Sequence, residues 1–333
     1  PTYVHTFYKK EATAQQPATS KEEGNLVAFS GPDFKATFDK QSGLLTSYLY
    51  KKHEYILNGQ GPRPFFWRAP TDNDYGANLP VRLKAWKEVS YQEPKAESFQ
   101  VTPGSNATTI KVTYRFPQTD ARWDITYKIY ASGVIKVDNR FVAEGDQAPM
   151  IPRVGLRMQL PESFTDLTYY GRGPKENYRD RRTSQFIGEY AIPVKDMYEP
   201  YVRPQENNHR TDIYWCALTD KTQRGLLLIA DRTFELNASN YPLESMDSGD
   251  TIDNSAPRTE KTHHRHLTDP LPEKMVDLFI DYRMMGVGGD DSWGATAHEP
   301  YLIRPGKENA IEYGFSLVPF DKKEDYKYLI RQY

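Results

Sequence analysis

The chain has 333 residues, and its 43 Lys and Arg against 45 Asp and Glu give a formal charge of -2, which offers no electrostatic case for nucleic acid or an anionic membrane surface. Aromatic residues make up 13%, including 24 Tyr, and 21 Gly with 24 Pro supply many turns, so an all-β chain of short strands is expected rather than long helices. The single cysteine, Cys216, excludes an intramolecular disulfide and reads as a small buried hydrophobe.

The chain starts at Pro1 without an initiator Met, which reads as a fragment or processed product. It shows neither a basic-then-apolar leader nor a run near the roughly 18 apolar residues of a membrane helix. The compartment stays open, cytoplasmic or periplasmic. Residues 1–24 are a short aromatic start and a polar run that buries no core, expected as a linker leaving a preceding domain.

From Asn25 the pattern changes. Leu26 to Phe29, Phe34 to Phe38 and Leu44 to Tyr50 read as strands. Ala77 to Val89 reads as a helix, with Leu83, Trp86 and Val89 at helical spacing. Strands follow at Thr108 to Phe116, Trp123 to Tyr130 and Val134 to Val142, the last two joined by a turn at Ala131-Ser-Gly133. Further strands are expected at Arg153 to Leu160, Ile213 to Leu218, Arg224 to Ala230, Lys274 to Tyr282 and Asn309 to Val318, with a short helix at Leu243 to Asp247. The simplest organisation is one β-sandwich over residues 25–319 with a charged tail over 320–333.

Four stretches carry more Gly, Pro, Asp, Asn and Arg than turns require: Trp67 to Gly76, Tyr170 to Arg181, Tyr201 to His209, and Gly286-Val-Gly-Gly-Asp-Asp-Ser-Trp293-Gly. In the first, Asp72, Asn73 and Asp74 offer oxygens to a cation or to sugar hydroxyls, although Asx residues also close turns on their own backbone, and Gly76 reads as a hinge. In the second, Gly171-Arg-Gly173 lacks the spacing of a phosphate loop. Glu176, Asn177, Asp180, Arg181 and Arg182 instead suggest a charge-assisted network fixing a long loop. In the third, Glu206 and His209 read either as a base and acid pair or as a turn that caps carbonyls. The run His263-His264-Arg265-His266 lacks the partners of a metal set.

The fourth stretch gathers glycines, the acids Asp290 and Asp291, and Trp293. Its bland reading is a core anchor, since Trp is usually mostly buried. Its other reading is a shaped loop that presents the indole to a carbohydrate, because a sugar's C–H face is apolar while its hydroxyl rim stays free for polar partners.

Taken together and in this order, Trp67-Arg-Ala-Pro-Thr-Asp-Asn-Asp-Tyr-Gly76, Tyr170-Gly-Arg-Gly-Pro-Lys-Glu-Asn-Tyr-Arg-Asp-Arg181, Asp196-Met-Tyr-Glu-Pro-Tyr-Val-Arg-Pro-Gln-Glu-Asn207 and Met285-Gly-Val-Gly-Gly-Asp-Asp-Ser-Trp293 resemble the C-terminal domain of large bacterial β-galactosidases of glycoside hydrolase family two. The resemblance spans roughly Asn25 to Pro319. It implies a large antiparallel β-supersandwich of the galactose mutarotase-like type, and a homo-oligomeric parent that hydrolyses β-D-galactosides such as lactose with retention.

In the family the two catalytic carboxyls and the magnesium and sodium sites lie on a separate barrel, and this chain shows no alternating βα pattern to build one. The expectation is therefore a domain without catalytic residues or cofactors of its own, silent alone. Trp293 would stack on galactoside or glucose at a site that the barrel completes. The loop beginning at Gly76 would close near that site, and Asp290 and Asp291 would shape the Trp293 loop. The implied fold also suggests an aldose 1-epimerase using Glu206 with His209 or a histidine of the 263–266 run, and a free-standing carbohydrate-binding module is a third reading.

Overall fold

The structure is a computed structural model that describes residues 16–143, 150–248, 266–291, 294–304, 306, 310–322 and 324–332. A first sheet is a simple antiparallel meander of β1 (Thr19–Glu23), β2 (Leu26–Ser30), β3 (Phe34–Asp39), β4 (Leu45–Tyr50) and β5 (His53–Glu54). Strict alternation in β3 turns Phe34, Ala36 and Phe38 inward, as a half-buried strand requires.

The chain then passes through β6 (Arg63–Phe65) and three short helices, α1 (Asp72–Gly76), α2 (Leu79–Arg82) and α3 (Lys84–Tyr91). The second sheet is assembled from β6 together with β7 (Ser98–Thr102), β8 (Thr108–Phe116), β9 (Ala121–Ile129), β10 (Ile135–Ala143), β11 (Arg153–Pro161), β12 (Asp166–Gly173), β13 (Phe186–Pro193), β14 (Arg210–Thr219), β15 (Gly225–Ser239), β16 (Met275–Met284) and β17 (Ile311–Phe320).

Its main path runs β13-β12-β14-β15-β17-β10-β9-β8-β7, and every described pairing is antiparallel. The sheet forks at β15. The first half of that strand, Gly225 to Ala230, pairs with β17; the second half, Glu235 to Ser239, pairs with β16, which passes the ladder on to β11 and β6. This all-β antiparallel architecture is the expected fold class.

An aromatic hub ties the helices to the sheet. The Phe66 ring lies 5.0 Å from Trp86 of α3, 5.4 Å from Trp123 of β9, 5.3 Å from Phe141 of β10 and 5.2 Å from Phe116 of β8, in edge and tilted geometries that aromatic quadrupoles favour. Trp86 and Trp123 are fully buried there.

Several expectations need correction. The helix expected from Ala77 to Val89 starts only at Leu79, because Asn78 takes a left-handed conformation with φ 55 and Pro80 opens α2, and it is broken into α2 and α3 at Leu83, whose φ of -112 and ψ of 18 leave the helical range. Leu83, Trp86 and Val89 are buried as their spacing implied. Leu243–Met246 is a 3₁₀ turn. Within the expected linker, Thr19–Glu23 is the edge strand β1; its side chains are all exposed, so no burial pattern marks it, and backbone pairing with β2 alone defines it.

The first residues of the Tyr170 to Arg181 loop are the end of β12. The charged tail carries α4 (Tyr326–Leu329), where Tyr326 packs 6.0 Å from Trp215 and 5.6 Å from Phe320 and joins a second apolar cluster. Six strands escaped the sequence reading, β1, β5, β6, β7, β12 and β13. Each is short on large apolar residues or mixes them with Gly and Tyr. Cys216 lies buried in β14, where burial pushes its thiol well above the ordinary value.

Candidate functional site

The four glycine- and acid-rich stretches meet at one place. A cleft of about 550 Å³ is lined by Asp72 and Asn73 from the first, Tyr178, Asp180 and Arg181 from the second, Tyr201, Gln205 and Glu206 from the third, and Val287 and Gly288 from the fourth. Some 200 residues of chain separate the first from the last, so the fold and not local sequence gathers them.

Helix α1 opens the first wall with a capping box. The Thr71 side chain accepts from the Asp74 N–H at 3.1 Å, and Asp74 in return accepts from the Thr71 N–H at 3.0 Å. The same buried Asp74 receives two N–H bonds from the Arg68 guanidinium, at 3.0 and 2.7 Å. Asp74 is thus fully engaged in structure. Asp72 is exposed and receives long contacts of 3.4 Å from Arg203 and from Gln205, while Asn73 faces the cleft and Gly76 ends the helix at the surface.

The second and third stretches are bonded together. Glu176 accepts from Arg181 at 2.5 Å, from the Tyr201 hydroxyl, and from the Asn208 N–H at 2.8 Å. Asn177 caps the Arg172 and Lys175 carbonyls and accepts from Thr211, and Arg182 pairs with Asp212. The network foreseen among Glu176, Asn177, Arg181 and Arg182 is present, with Asp212 as an added member. Asp180 serves elsewhere.

The backbone of the glycine loop is gripped residue by residue. Met284 N–H donates to Glu235 at 2.7 Å; the Met285 and Gly286 carbonyls accept from Arg68; the Val287 and Gly288 N–H groups donate to the two oxygens of Asp180 at 3.2 and 2.7 Å. Side chains from three separate segments thereby satisfy successive polar groups from the end of β16 into the glycine loop. Gly286 is required: a Cβ there would lie 2.6 Å from an Asp180 oxygen and 2.8 Å from the Ala297 Cβ.

Farther out, Asp290 meets His298 at 2.8 Å with both side chains exposed, and Asp291 accepts from the Ala295 N–H at 3.2 Å, spanning the loop's tip. Gly294, at φ +141, brings its backbone against Gly76, whose carbonyl oxygen would be 3.1 Å from a Cβ at 294. Trp293 itself lies outside the described residues, as do His263 and His264 of the histidine run; His266 sits in an exposed turn.

Beneath the cleft is a buried polar layer that sequence reasoning missed. His209 is fully buried, with Nδ1 2.6 Å from Asn237 Oδ1 and Nε2 3.0 Å from Glu235. Asn237 also donates to Glu206 at 2.8 Å and accepts from Arg153 at 2.8 Å. Arg179 donates to Glu235 at 2.6 Å. Asp281 lies 3.2 Å from the Arg153 guanidinium, and neither of its oxygens has a hydrogen-bond partner among the described residues.

Burial raises the Asp281 carboxyl to about 7, against the opposing pull of Arg153 and His209. Burial works against charge on Glu235 as well, yet the hydrogen bond and charge of His209, with Arg179 and the Met284 N–H, hold it below the usual range. Glu206 and His209, read as a possible acid and base, are both sealed by these partners, and neither ring nitrogen of His209 is open to a substrate. Of the missed residues, Glu235 and Asn237 lie in the part of β15 beyond the expected Arg224 to Ala230, and Asp281 lies in β16. The available signal was the alternation of Glu235, Asn237 and Ser239 with the apolar Phe234, Leu236 and Ala238.

Comparison with known proteins now bears on this assembly. Residues 30–317 match the family described as beta galactosidase small chain. The chain belongs to the β-galactosidase small-chain family. It is 33% identical over 291 residues to a β-galactosidase of Priestia megaterium, a match covering 87% of this chain and 26% of that protein. It is 32% identical over 308 residues to a β-galactosidase of Lactobacillus delbrueckii subsp. bulgaricus, covering 90% and 28%. This small chain therefore spans about a quarter of the length of such relatives. In fold it is similar to the galactose 1-epimerase of Lactobacillus acidophilus, with a TM-score of 0.50 at 6% identity over 91% of this chain and 97% of that one. All four stretches of the cleft wall lie inside the part that matches the small-chain family.

Proposed function

We propose that this chain is the C-terminal part of a retaining β-galactosidase of glycoside hydrolase family two, and that its four loops complete the rim of an active site whose catalytic groups lie on another domain of the parent. The observation that carries this reading is the convergence of all four stretches on one cleft, with the glycine loop clamped through its backbone. A clamped base suits a loop that must hold a flat side chain at a fixed height.

In this reading Trp293 is a stacking platform for the sugar, Asp290 and Asp291 brace the loop, and Asp72, Asn73 and Gly76 form the facing edge. Galactoside cleavage with retention needs an acid/base carboxyl and a nucleophilic carboxylate about 5–5.5 Å apart across the scissile bond. Those two groups, and the magnesium and sodium ions of the parent, belong to the barrel. The chain contributes binding, not bond cleavage.

Two measurements test the proposal. The purified 333-residue chain is expected to leave a nitrophenyl β-galactoside intact; turnover that persists after removal of host enzyme overturns it. In the full-length parent, Trp293→Ala is expected to weaken lactose or glucose-acceptor binding about threefold or more, the contribution of one aromatic contact. Unchanged affinity for both sinks the stacking role.

A further inference from the structure

The hydrogen bonds around Asn237 fix the protonation of His209. Asn237 Nδ2 lies 2.8 Å from the Asn207 carbonyl oxygen and 2.8 Å from Glu206 Oε1, two atoms that accept. The amide therefore cannot be turned round, and Oδ1 must be the atom facing Arg153 Nη2 and His209 Nδ1. Since Oδ1 accepts only, His209 Nδ1 carries a proton. On the other side of the ring, Nε2 faces Glu235 Oε2 at 3.0 Å, and that oxygen also accepts from the Met284 N–H. A carboxylate oxygen again calls for a donor. Both ring nitrogens are donors, so the imidazole is a cation.

We infer that His209 is a buried imidazolium that positions the glycine loop, holding Glu235 against the Met284 N–H and the Tyr178 ring against the cleft, so that the loop's anchorage follows the protonation of this one ring. The groups that face it are Glu235 from β15, Asp281 from β16, Glu206 from its own segment, and Arg153 from β11 through Asn237, with Arg179 beyond Glu235. Burial disfavours the cation, but the Glu235 hydrogen bond and the charges of Glu235, Asp281 and Glu206 outweigh it and raise the ring above 6.5.

Loss of the proton has a defined geometric result. A bare Nδ1 would face Asn237 Oδ1 at 2.6 Å, and a bare Nε2 would face Glu235 Oε2 at 3.0 Å; either pair of lone pairs repels. The ring must shift, and it is stacked on Tyr178 at 5.3 Å and 18°, while Glu235 also anchors Met284, the last residue of β16, from which the glycine loop departs. The consequence for a sugar at Trp293 rests on the proposed function. The positioning of the loop does not.

The test uses the whole 333-residue chain without sugar, labelled with ¹⁵N, titrated from about pH 6 to about pH 9 across the range in which a raised histidine changes charge. Both His209 nitrogens are expected to be protonated at neutral pH and to titrate above 6.5, the unperturbed value. Amide protection at Met284 is expected to fall about tenfold beyond the intrinsic pH effect in step with that titration, the loss of one charge-assisted bond. Glu235→Gln is expected to bring the His209 titration down by about one pH unit or more. A pyridine-type nitrogen on His209 at neutral pH overturns the inference. So does Met284 protection indifferent to the titration. If the linkage holds while Trp293→Ala leaves sugar affinity unchanged, the rim reading fails and the positioning role stands.

Discussion

The Asp180 carboxylate accepts the Gly288 N–H at 2.7 Å with one oxygen and the Val287 N–H at 3.2 Å with the other, joining two motifs more than a hundred residues apart. Asp180→Asn keeps one acceptor and turns an NH₂ group toward a backbone N–H. Hydrogen bonds to a charged group contribute about 1.5–3 kcal/mol, so faster amide exchange confined to Val287 and Gly288 is expected. Exchange at wild-type rates would show that the clamp is not formed in solution.

Two neighbouring aspartates should behave very differently. Asp74→Ala leaves Arg68 charged, buried and without its carboxylate, and breaking such a pair costs about 3–5 kcal/mol. Asp72 is exposed and its contact with Arg203 is 3.4 Å, so Asp72→Ala should cost less than about 1 kcal/mol. Urea unfolding of the two variants side by side checks the ordering, and equal midpoints would contradict it.

Gly286→Ala forces a methyl to within 2.6 Å of an Asp180 oxygen. Relief requires the carboxylate to give up its grip on the loop, at an overpacking cost of about 1–3 kcal/mol. The expected signature is a lower melting temperature together with lost protection at Gly288. A silent substitution would mean the loop has room that the packing does not show.

Stability should fall as pH rises through neutrality. Asp281 is raised from 3.8 to about 7, so its contribution is complete below 3.8 and is lost as pH climbs through about 7. His209, raised above 6.5, contributes in the same sense and loses its contribution as pH passes its folded value. Each proton involved sets a slope of at most about 1.4 kcal/mol per pH unit. Asp281→Asn removes one titrating group and should flatten the dependence of the urea midpoint between about pH 5 and about pH 8. A variant as steep as the wild type would remove Asp281 from the account.

The aromatic hub gives a plain packing prediction. Trp86→Ala opens a cavity between α3 and the sheet and should cost about 3–5 kcal/mol in urea unfolding. A loss near zero would mean that Phe66 and Phe141 collapse into the space.

What could be read from the residues alone follows from period. Strands such as β8 and β10 announced themselves because apolar residues alternate along most of their length, and the Ala131 to Gly133 turn was marked by its glycine, which in the structure takes φ +93. Strand β1 was illegible because exposed side chains carry no pattern. The cleft's stretches were visible as departures from period. Their meeting point was not, because it depends on the register of β14, β15 and β16, which only the folded sheet fixes. For the same reason Glu235 and Asn237, beyond the strand expected at Arg224 to Ala230, and Asp281, inside the one expected at Lys274 to Tyr282, drew no notice, while their partners Arg153 and His209 lie on other strands or segments.

Gly294 and Gly76 meet without side chains. Their contact is one of spacing alone, so it has no charge to screen and no hydrogen-bonding side chain to mutate away. Any larger residue at 294 would act as a wedge of at least a methyl group, pushing this segment away from the end of α1. The spacing there is thus set by what Gly294 lacks, and it can be widened by substitution far more readily than it can be narrowed.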